Sequence, residues 1–547
     1  MTPSPDHLLI APILIPLVAG ALMLFYDERQ RRERRIVALI SASALVFVVV
    51  ELVDVVDGAD TATIGLYLLG NWPPPFAIVL VLDRLSALML LLTALLALPA
   101  LVYAMARWDR RGQHFHSLFQ FLLMGVNGAF LTGDLFNLFV FFEVLLAASY
   151  GLALHGSGPL RVRAGLHYIA INLAASLLFL LGVSLIYGVT GTLNMADLAM
   201  RVPLVAPSDR PLVATGATLL GIAFLVKAAV WPLCFWLPIT YMAAAPPAAA
   251  MFAILSKVGV YVLLRVSSLA FGTAAAAMTG LGAEVLLAGG LATLVFGTLG
   301  VLGAQGLGRL AGSAVLVSSG TLVAAVGMAG LGSGSQLVAA GLYYLVASTL
   351  ALSALYLMTD LIEREQGAVA AMLAVTAEAY GLGDEEVDDP EERVELAVPG
   401  ATTLLGLCFA TCALLLAGLP PLAGFLGKFA MLSAALGSGG LAAGEIAPSA
   451  VVFTALLIVS GLAALVALVR EGIHTFWAEA EELPPVPLVE LAPVVLLLAL
   501  TLAMTAKAGP VMRYMEATAS ALNHPHVYVQ GVLGTSPSGP PPAEADR

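Results

Sequence analysis

Apolar residues run along this chain in blocks of about twenty, each closed by a short polar interruption. A helix of that length matches the hydrocarbon thickness of a bilayer. The blocks predict fourteen helical spans, at 8–26, 36–56, 78–105, 115–132, 135–155, 164–189, 212–236, 246–271, 281–304, 309–331, 336–361, 402–433, 450–469 and 487–506. Two of them carry proline where a helix should continue: Pro232 in LVKAAVWPLCFWLP and Pro420-Pro421 in LLAGLPPLAGFLGKF. Proline lacks an N–H and clashes with the preceding turn, so both spans are expected to be broken. Freed backbone groups are tolerated at membrane depth only where they line protein or water. Interruptions at matching places in two halves predict an internal repeat with an ion route through the breaks.

The polar interruptions give an orientation. Arg29, Arg31, Arg32, Arg34 and Arg35 follow the first span. Clustered arginines favour the cytoplasmic side. Arg107, Arg110 and Arg111, then Arg161 and Arg163, then Arg309 and Arg470, all fall on the same side of a fourteen-span topology. Arg201 and Arg210, in the longer loop after the sixth span, are the main exceptions. Both termini are then expected outside. The first apolar run has no basic residue before it and no small-residue cleavage site after it, so it is expected to stay as a span.

Composition agrees. Of 547 residues 60% are hydrophobic and 11% charged, against about 25% charged in average soluble domains. The formal charge is −12, and much of it sits in 378–395, which holds nine acids and one arginine. That segment reads as a solvated cytoplasmic loop or as a dock for a basic partner. Residues beyond about 523 are rich in Pro, Gly and Ser and are expected to be disordered. Cys234, Cys408 and Cys412 lie in apolar segments and read as small buried hydrophobes.

Charge type within the spans changes the picture most. The chain has 24 Lys+Arg, of which only Lys227, Lys257, Lys428 and Lys507 are lysine, and the first three lie inside apolar spans. Arginine keeps its proton in any protein environment, whereas a lysine can yield one. A central membrane charge costs about 2.5–3.5 kcal/mol on insertion scales. Three lysines and Glu143, in LFNLFVFFEVLLAASYGL, would cost roughly 10 kcal/mol or more if left facing lipid. They are therefore expected inside the bundle. Lys227 reads as a proton-relay lysine or as a structural ion-pair partner of Glu143. Lys257 and Lys428 read as relay or packing residues, and Lys507 as a boundary lysine that snorkels.

Weaker candidates are His167, as a core histidine or path member, and Ser318, Ser319 and Thr321, bonding water or their own helix. Tyr343 and Tyr344 read as packing or relay residues. Asp83 and Arg84 read as a local pair, and Asp134 as a helix cap. No nucleotide loop, haem box or metal-ligand cluster appears in the sequence, so no cofactor and no redox chemistry of its own are expected; the metal question stays open.

FFEV, VKAAVWPLCFWLP, LSKVGVYVLLR and GLPPLAGFLGKF together resemble the antiporter-like subunits shared by respiratory complex I and Mrp cation/proton antiporters. GNWPPPFAIVLVLDRLSALMLLLTALL and YGVTGTLNMADLA resemble the D subunits of Mrp-type Na+/H+ antiporters in particular. The resemblance runs from about residue 5 to 510. It implies an all-α polytopic fold of fourteen helices with two inverted five-helix repeats and broken helices seven and twelve. Three helices would occupy 1–105, the repeats 106–271 and 272–470 (with an acidic loop at 363–398), the last helix 471–510, and the tail 511–547. It further implies a transporter rather than an enzyme. This would be the proton-translocating subunit of a multisubunit Na+(K+)/H+ antiporter in a bacterial inner membrane. Its partners would be a larger homologous subunit, several small membrane subunits, H+, Na+ and lipid, with no nucleic acid. Glu143, Lys227, Lys257 and Lys428 match the family's relay positions. Ala347 departs from the pattern, because the wider family often has a titratable residue near it; water or the serines of the tenth span would have to bridge there. The alternative is a pumping subunit of a redox-driven complex.

Overall fold

The computed structural model describes residues 5–27, 29–58, 64–379, 400–437, 447–476 and 487–535. The apolar blocks are helices: α1 (Ala11–Leu24), α2 (Arg31–Asp57), α3 (Arg84–Ala106), α4 (Phe115–Leu131), α5 (Leu135–Ala153) and α6 (Pro159–Thr190). They continue as α7 (Arg210–Lys227), α8 (Trp236–Ala243), α9 (Pro246–Ala270), α10 (Ala283–Leu302), α11 (Leu307–Met328) and α12 (Gly334–Ala379). The last are α13 (Ala401–Ala417), α14 (Ala423–Leu436), α15 (Pro448–Phe476), α16 (Leu488–Ala506), α17 (Ala508–Asn523) and α18 (His526–Leu533). Among the described residues, eleven helices are long and apolar enough to cross a membrane, and four shorter apolar helices accompany them. The protein is a helical polytopic membrane protein.

Burial sorts the helices into layers. The most apolar windows of α9 and α12 are wholly buried, while those of α2, α6, α10, α15 and α16 are 39% buried. The outer faces are leucine-rich: Leu166, Leu173, Leu177 and Leu181 on α6, and Ile458 and Leu462 on α15, are exposed. Such a surface suits lipid. Inside, small residues bring backbones together, as membrane helices require. A Cβ on Gly320 of α11 would stand 2.6 Å from the Leu294 amide of α10, and one on Gly259 of α9 would stand 2.6 Å from the Ala228 amide.

Both proline interruptions break their helices. α7 ends at Lys227, and the Trp231 amide of the gap donates to Thr293 Oγ1 at 2.8 Å. α13 ends where Gly418 takes φ 78°, a left-handed conformation that closes a helix cheaply only as glycine. Asp134 caps α5 as expected, accepting from the Phe136 and Asn137 amides.

Several expectations need correction. The run at 78–105 is not one helix. Gly65–Leu68 (β1) and Val79–Leu82 (β2) form an antiparallel hairpin before α3 starts at Arg84. An all-apolar VLVL gives no period by which to separate strand from helix. α12 runs on to Ala379, into the stretch expected to be loop from 363; from residue 380 the acidic segment lies outside the described residues. Order extends beyond 523, because α18 buries Tyr528, Val529 and Val532.

Asp83 does not pair with Arg84. It caps α3 through Ser86 and takes a two-pronged ion pair from Arg265 of α9, at 2.5 and 2.7 Å. Arg84 instead lies 3.6 Å from Asp57. Tyr261 and Tyr528 lie against the Arg265 guanidinium at 5.4 and 5.3 Å. Arg265 is 4% exposed, so removing its partner strands a buried charge. Asp83→Asn is expected to cost about 3–5 kcal/mol and to show as a lower thermal midpoint and less assembled protein in membranes.

At the arginine-bearing end, Arg35 grips Asp109 at 2.6 and 2.8 Å, and His116 lies 3.2 Å from it. Burial alone would raise the Asp109 carboxyl; the hydrogen bonds and charges of His116 and Arg35 outweigh it and hold the group below the usual carboxylate value. A depressed folded value means stability that is complete above about pH 4 and lost as pH falls through the folded value. The thermal midpoint of the solubilised protein should drop below that pH. Asp109→Asn should start lower at neutral pH and lose less on acidification.

Candidate functional site

The three interior lysines are all buried, at 5%, 0% and 6% exposure for Lys227, Lys257 and Lys428. Each sits where the backbone dictates. Lys227 is the last residue of α7, immediately before the break. Lys428 is on α14, after the second break, and reaches back across it. Its ammonium donates to the carbonyls of Leu416 and Ala417 at 2.9 and 3.0 Å. These are among the carbonyls that a helix C-terminus leaves without intrahelical partners. A Cβ on Gly461 of α15 would come within 3.3 Å of the same ammonium. Lys257 lies mid-way along α9, two residues before the glycine that presses on the first break.

None of the three has a carboxylate in ion-pair range among the described residues. Lys227 Nζ has the Asn172 carbonyl at 3.5 Å and the Phe142 ring at 5.7 Å. Lys257 Nζ has Ser319 Oγ at 3.5 Å. Glu143, half-buried on α5, has an inaccessible Oε1 with no hydrogen-bond partner among the described residues. It stands close enough to act on Lys227 through its charge, but the two are not joined. A closed structural ion pair is therefore not what this conformation contains.

Between Lys257 and Lys428 lie neutral hydroxyls. Ser318 and Ser348 share a 3.0 Å hydrogen bond, so the position next to Ala347 carries a polar group although Ala347 does not. The Tyr344 hydroxyl faces Ser318 and Thr321. A Cβ on Gly427, the residue before Lys428, would touch the Tyr344 backbone at 3.1 Å. Thr321 also bonds back to its own helix at Val317. Tyr343 turns away and donates to the Met504 carbonyl.

His167 is apart from this set. It is exposed on α6 and bonds the Arg163 carbonyl of its own helix, so it is no core histidine. Its neighbour Tyr168 faces inward instead. Lys507 is exposed at the end of α16. All three cysteines are buried, and the Cys412 thiol donates to the Ala351 carbonyl. Among the described residues no group of three or more His, Cys, Asp or Glu is placed to hold a metal.

Sequence reasoning missed some residues of consequence. Asp360 on α12 accepts from Tyr103, Trp108 and Arg107. Arg107 also lies 3.8 Å from Glu490. Arg265 and Asp360 each interrupt an apolar run near its end, which was the available signal; the helix they would meet was not.

The family described as NADH:quinone oxidoreductase/Mrp antiporter, TM, matches residues 132–454. A probable D subunit of a K(+)/H(+) antiporter from Rhizobium meliloti is 55% identical, over 98% of this chain and 100% of its own length. The D subunit of a Na(+)/H(+) antiporter from Alkalihalophilus pseudofirmus is 33% identical, over 96% and 99%. Among solved structures, a chain of the Mrp complex from Dietzia sp. superposes with a TM-score of 0.80 at 27% identity, covering 98% of this chain and 100% of that one. The match spans both breaks, Glu143 and all three interior lysines, and the chain belongs to the NADH:quinone oxidoreductase/Mrp antiporter family of transmembrane subunits.

Proposed function

We propose that this chain is the proton-translocating subunit of a multisubunit monovalent cation/proton antiporter. It exchanges H+ for K+ or Na+ across a bacterial inner membrane alongside a larger homologous subunit and several small ones. One observation carries the reading: three lysines are buried in the bundle, and none of them is in ion-pair range of a carboxylate among the described residues. A structural cation of that depth would be closed by a counter-ion, because an orphaned buried charge is costly. An open one is a stopping place for a proton. Greater identity to the K(+)/H(+) relative than to the Na(+)/H(+) one favours K+.

The contacts of these residues support a sequence of events. A negative Glu143 holds the ammonium at Lys227, and a neutralised Glu143 lets its proton go. The next buried nitrogen is Lys257, on the helix that touches the first break. From there the hydroxyls of Ser319, Ser318, Ser348 and Tyr344, with water between them, extend toward Lys428. Lys428 rests on carbonyls that can receive water when it moves. In this arrangement α7 with α8, and α13 with α14, are each one interrupted span of a fourteen-span bundle. Two inverted five-helix units place the interruptions in register, with both termini outside.

Three measurements in everted vesicles test it, each normalised to assembled complex. Glu143→Gln should abolish antiport while the protein inserts normally. Lys227→Arg should do the same, since arginine keeps its proton; an arginine variant as active as the parent would make the residue a plain counter-ion. Lys257→Ala and Lys428→Ala should each stop transport per complex. A loss of amount alone, with normal activity per complex, would make these lysines structural.

A further inference from the structure

A groove of about 410 Å³ runs along α8 between α6 and α11. Its walls are open to the surroundings of the bundle: Leu160, Phe235 and Ile239 are 56%, 50% and 54% exposed. The helices beneath it are closely seated. A Cβ on Gly312 of α11 would stand 2.8 Å from the Pro238 Cα of α8, and Thr240 Oγ1 of α8 donates to the Ala164 carbonyl of α6 at 3.4 Å. The groove is therefore a fixed feature of three packed helices.

Its charge is of one sign. Arg163 of α6 and Arg309 of α11 line it, with His167, whose ring bonds the Arg163 carbonyl at 2.8 Å. Among the described residues no carboxylate lines it. Glu363, which accepts from the Gly308 amide, belongs to the wall of a neighbouring cavity with Asp360. Both guanidinium side chains are exposed, and neither has a hydrogen-bond or ion-pair partner among the described residues. Other arginines of the same face are tied down: Arg107 to Asp360, Arg161 to the Ala243 and His155 carbonyls, and Arg470 to those of Leu302 and Ala304. Arg309 also falls in the first turn of α11, where the helix dipole is already positive, so its charge and the helix together favour an anion.

We propose that this groove binds an anionic phospholipid of the leaflet at the arginine-bearing end. Its phosphate is held by Arg163 and Arg309, and an acyl chain lies along Phe235 and Ile239. Charge complementarity selects the head. A pair of cations with no acid beside them, at a membrane surface, attracts the negative lipids of that leaflet, and a guanidinium can grip a phosphate through two parallel hydrogen bonds. The apolar walls select the tail. A free phosphate would leave Phe235 and Ile239 uncovered, and a lipid without net charge would leave two cations unbalanced. The bound lipid rests on α8, the piece of chain just past the first break, and braces it against α6 and α11.

The test uses the assembled complex in phosphatidylcholine vesicles and a phosphatidylglycerol that carries a diazirine on its acyl chain. After illumination, adducts are located by mass spectrometry of the digested protein. They are expected on Phe235, Ile239 and the start of α6, and unlabelled phosphatidylglycerol should displace them where further phosphatidylcholine does not. Arg163→Gln and Arg309→Gln should each raise the concentration for half-labelling about five-fold. Ile239→Trp, which fills the apolar part, should cut labelling with both arginines in place. Arg110→Gln, at an exposed arginine of the same face outside the groove, should change nothing. The parent's own labelling pattern decides the matter where a variant fails to assemble. Adducts spread evenly over the leucine-rich faces of α6 and α15, indifferent to the arginines, would make the lipid here ordinary bilayer. No adduct in the assembled complex would give the groove to a partner subunit. Displacement by inorganic phosphate as readily as by phosphatidylglycerol would make it a site for free anions. Each of these three results overturns the proposal. Labelling needs no transport, so its outcome is independent of the proton relay.

Discussion

A polar group surrounded by hydrocarbon has no water to fall back on, and the layout of this bundle answers that constraint. Helices satisfy their own backbone, so most of the chain is helix. Where α7 and α13 stop short, the freed groups are not left to lipid. Thr293 takes the Trp231 amide, and the Lys428 ammonium takes the carbonyls of Leu416 and Ala417. The break and the buried cation therefore need each other: the break supplies oxygens that a lysine can hold, and the lysine supplies protons that the oxygens would otherwise lack.

The same constraint explains the division between arginine and lysine. At the two ends of the bundle, where permanent charge can be paired, arginines form closed structures with Asp83, Asp109 and Asp360. These fix α9, α2 and α3 against their neighbours. In the middle, lysines meet neutral carbonyls and hydroxyls at up to 3.5 Å. A bidentate guanidinium–carboxylate pair is rigid; an ammonium against a serine can let go. The rigid pairs and the loose contacts share helices. α9 carries both Arg265, locked to Asp83, and Lys257, whose ammonium meets Ser319 at 3.5 Å, so one helix is tightly anchored at its end and loosely held at its centre.

Close packing serves that arrangement. Gly259 lets α9 lie on the first break, and Gly427 and Gly461 bring α12 and α15 against the second. Larger residues would push the lysines away from the groups they bridge. The wholly buried windows of α9 and α12 keep this line out of lipid.

Much of this was legible in the residues alone. Block length gave a membrane protein, proline placement gave the breaks, and Glu143 with the interior lysines marked the candidate path. All of these are local properties: the thickness of a bilayer, the missing amide of proline and the cost of one charge act within a single segment. What the residues could not show is which segments meet. Asp83 looked paired to its sequence neighbour until α9 brought Arg265 to it. VLVL looked like the start of a helix until β1 lay beside it. His167 looked like a core residue although its helix turns Tyr168 inward instead. A row of aromatic rings, Tyr356, Tyr241 and Trp236, comes from α12 and α8 and reaches α5 through Tyr168 of α6. No spacing along the chain records it, because these rings meet only when those helices pack.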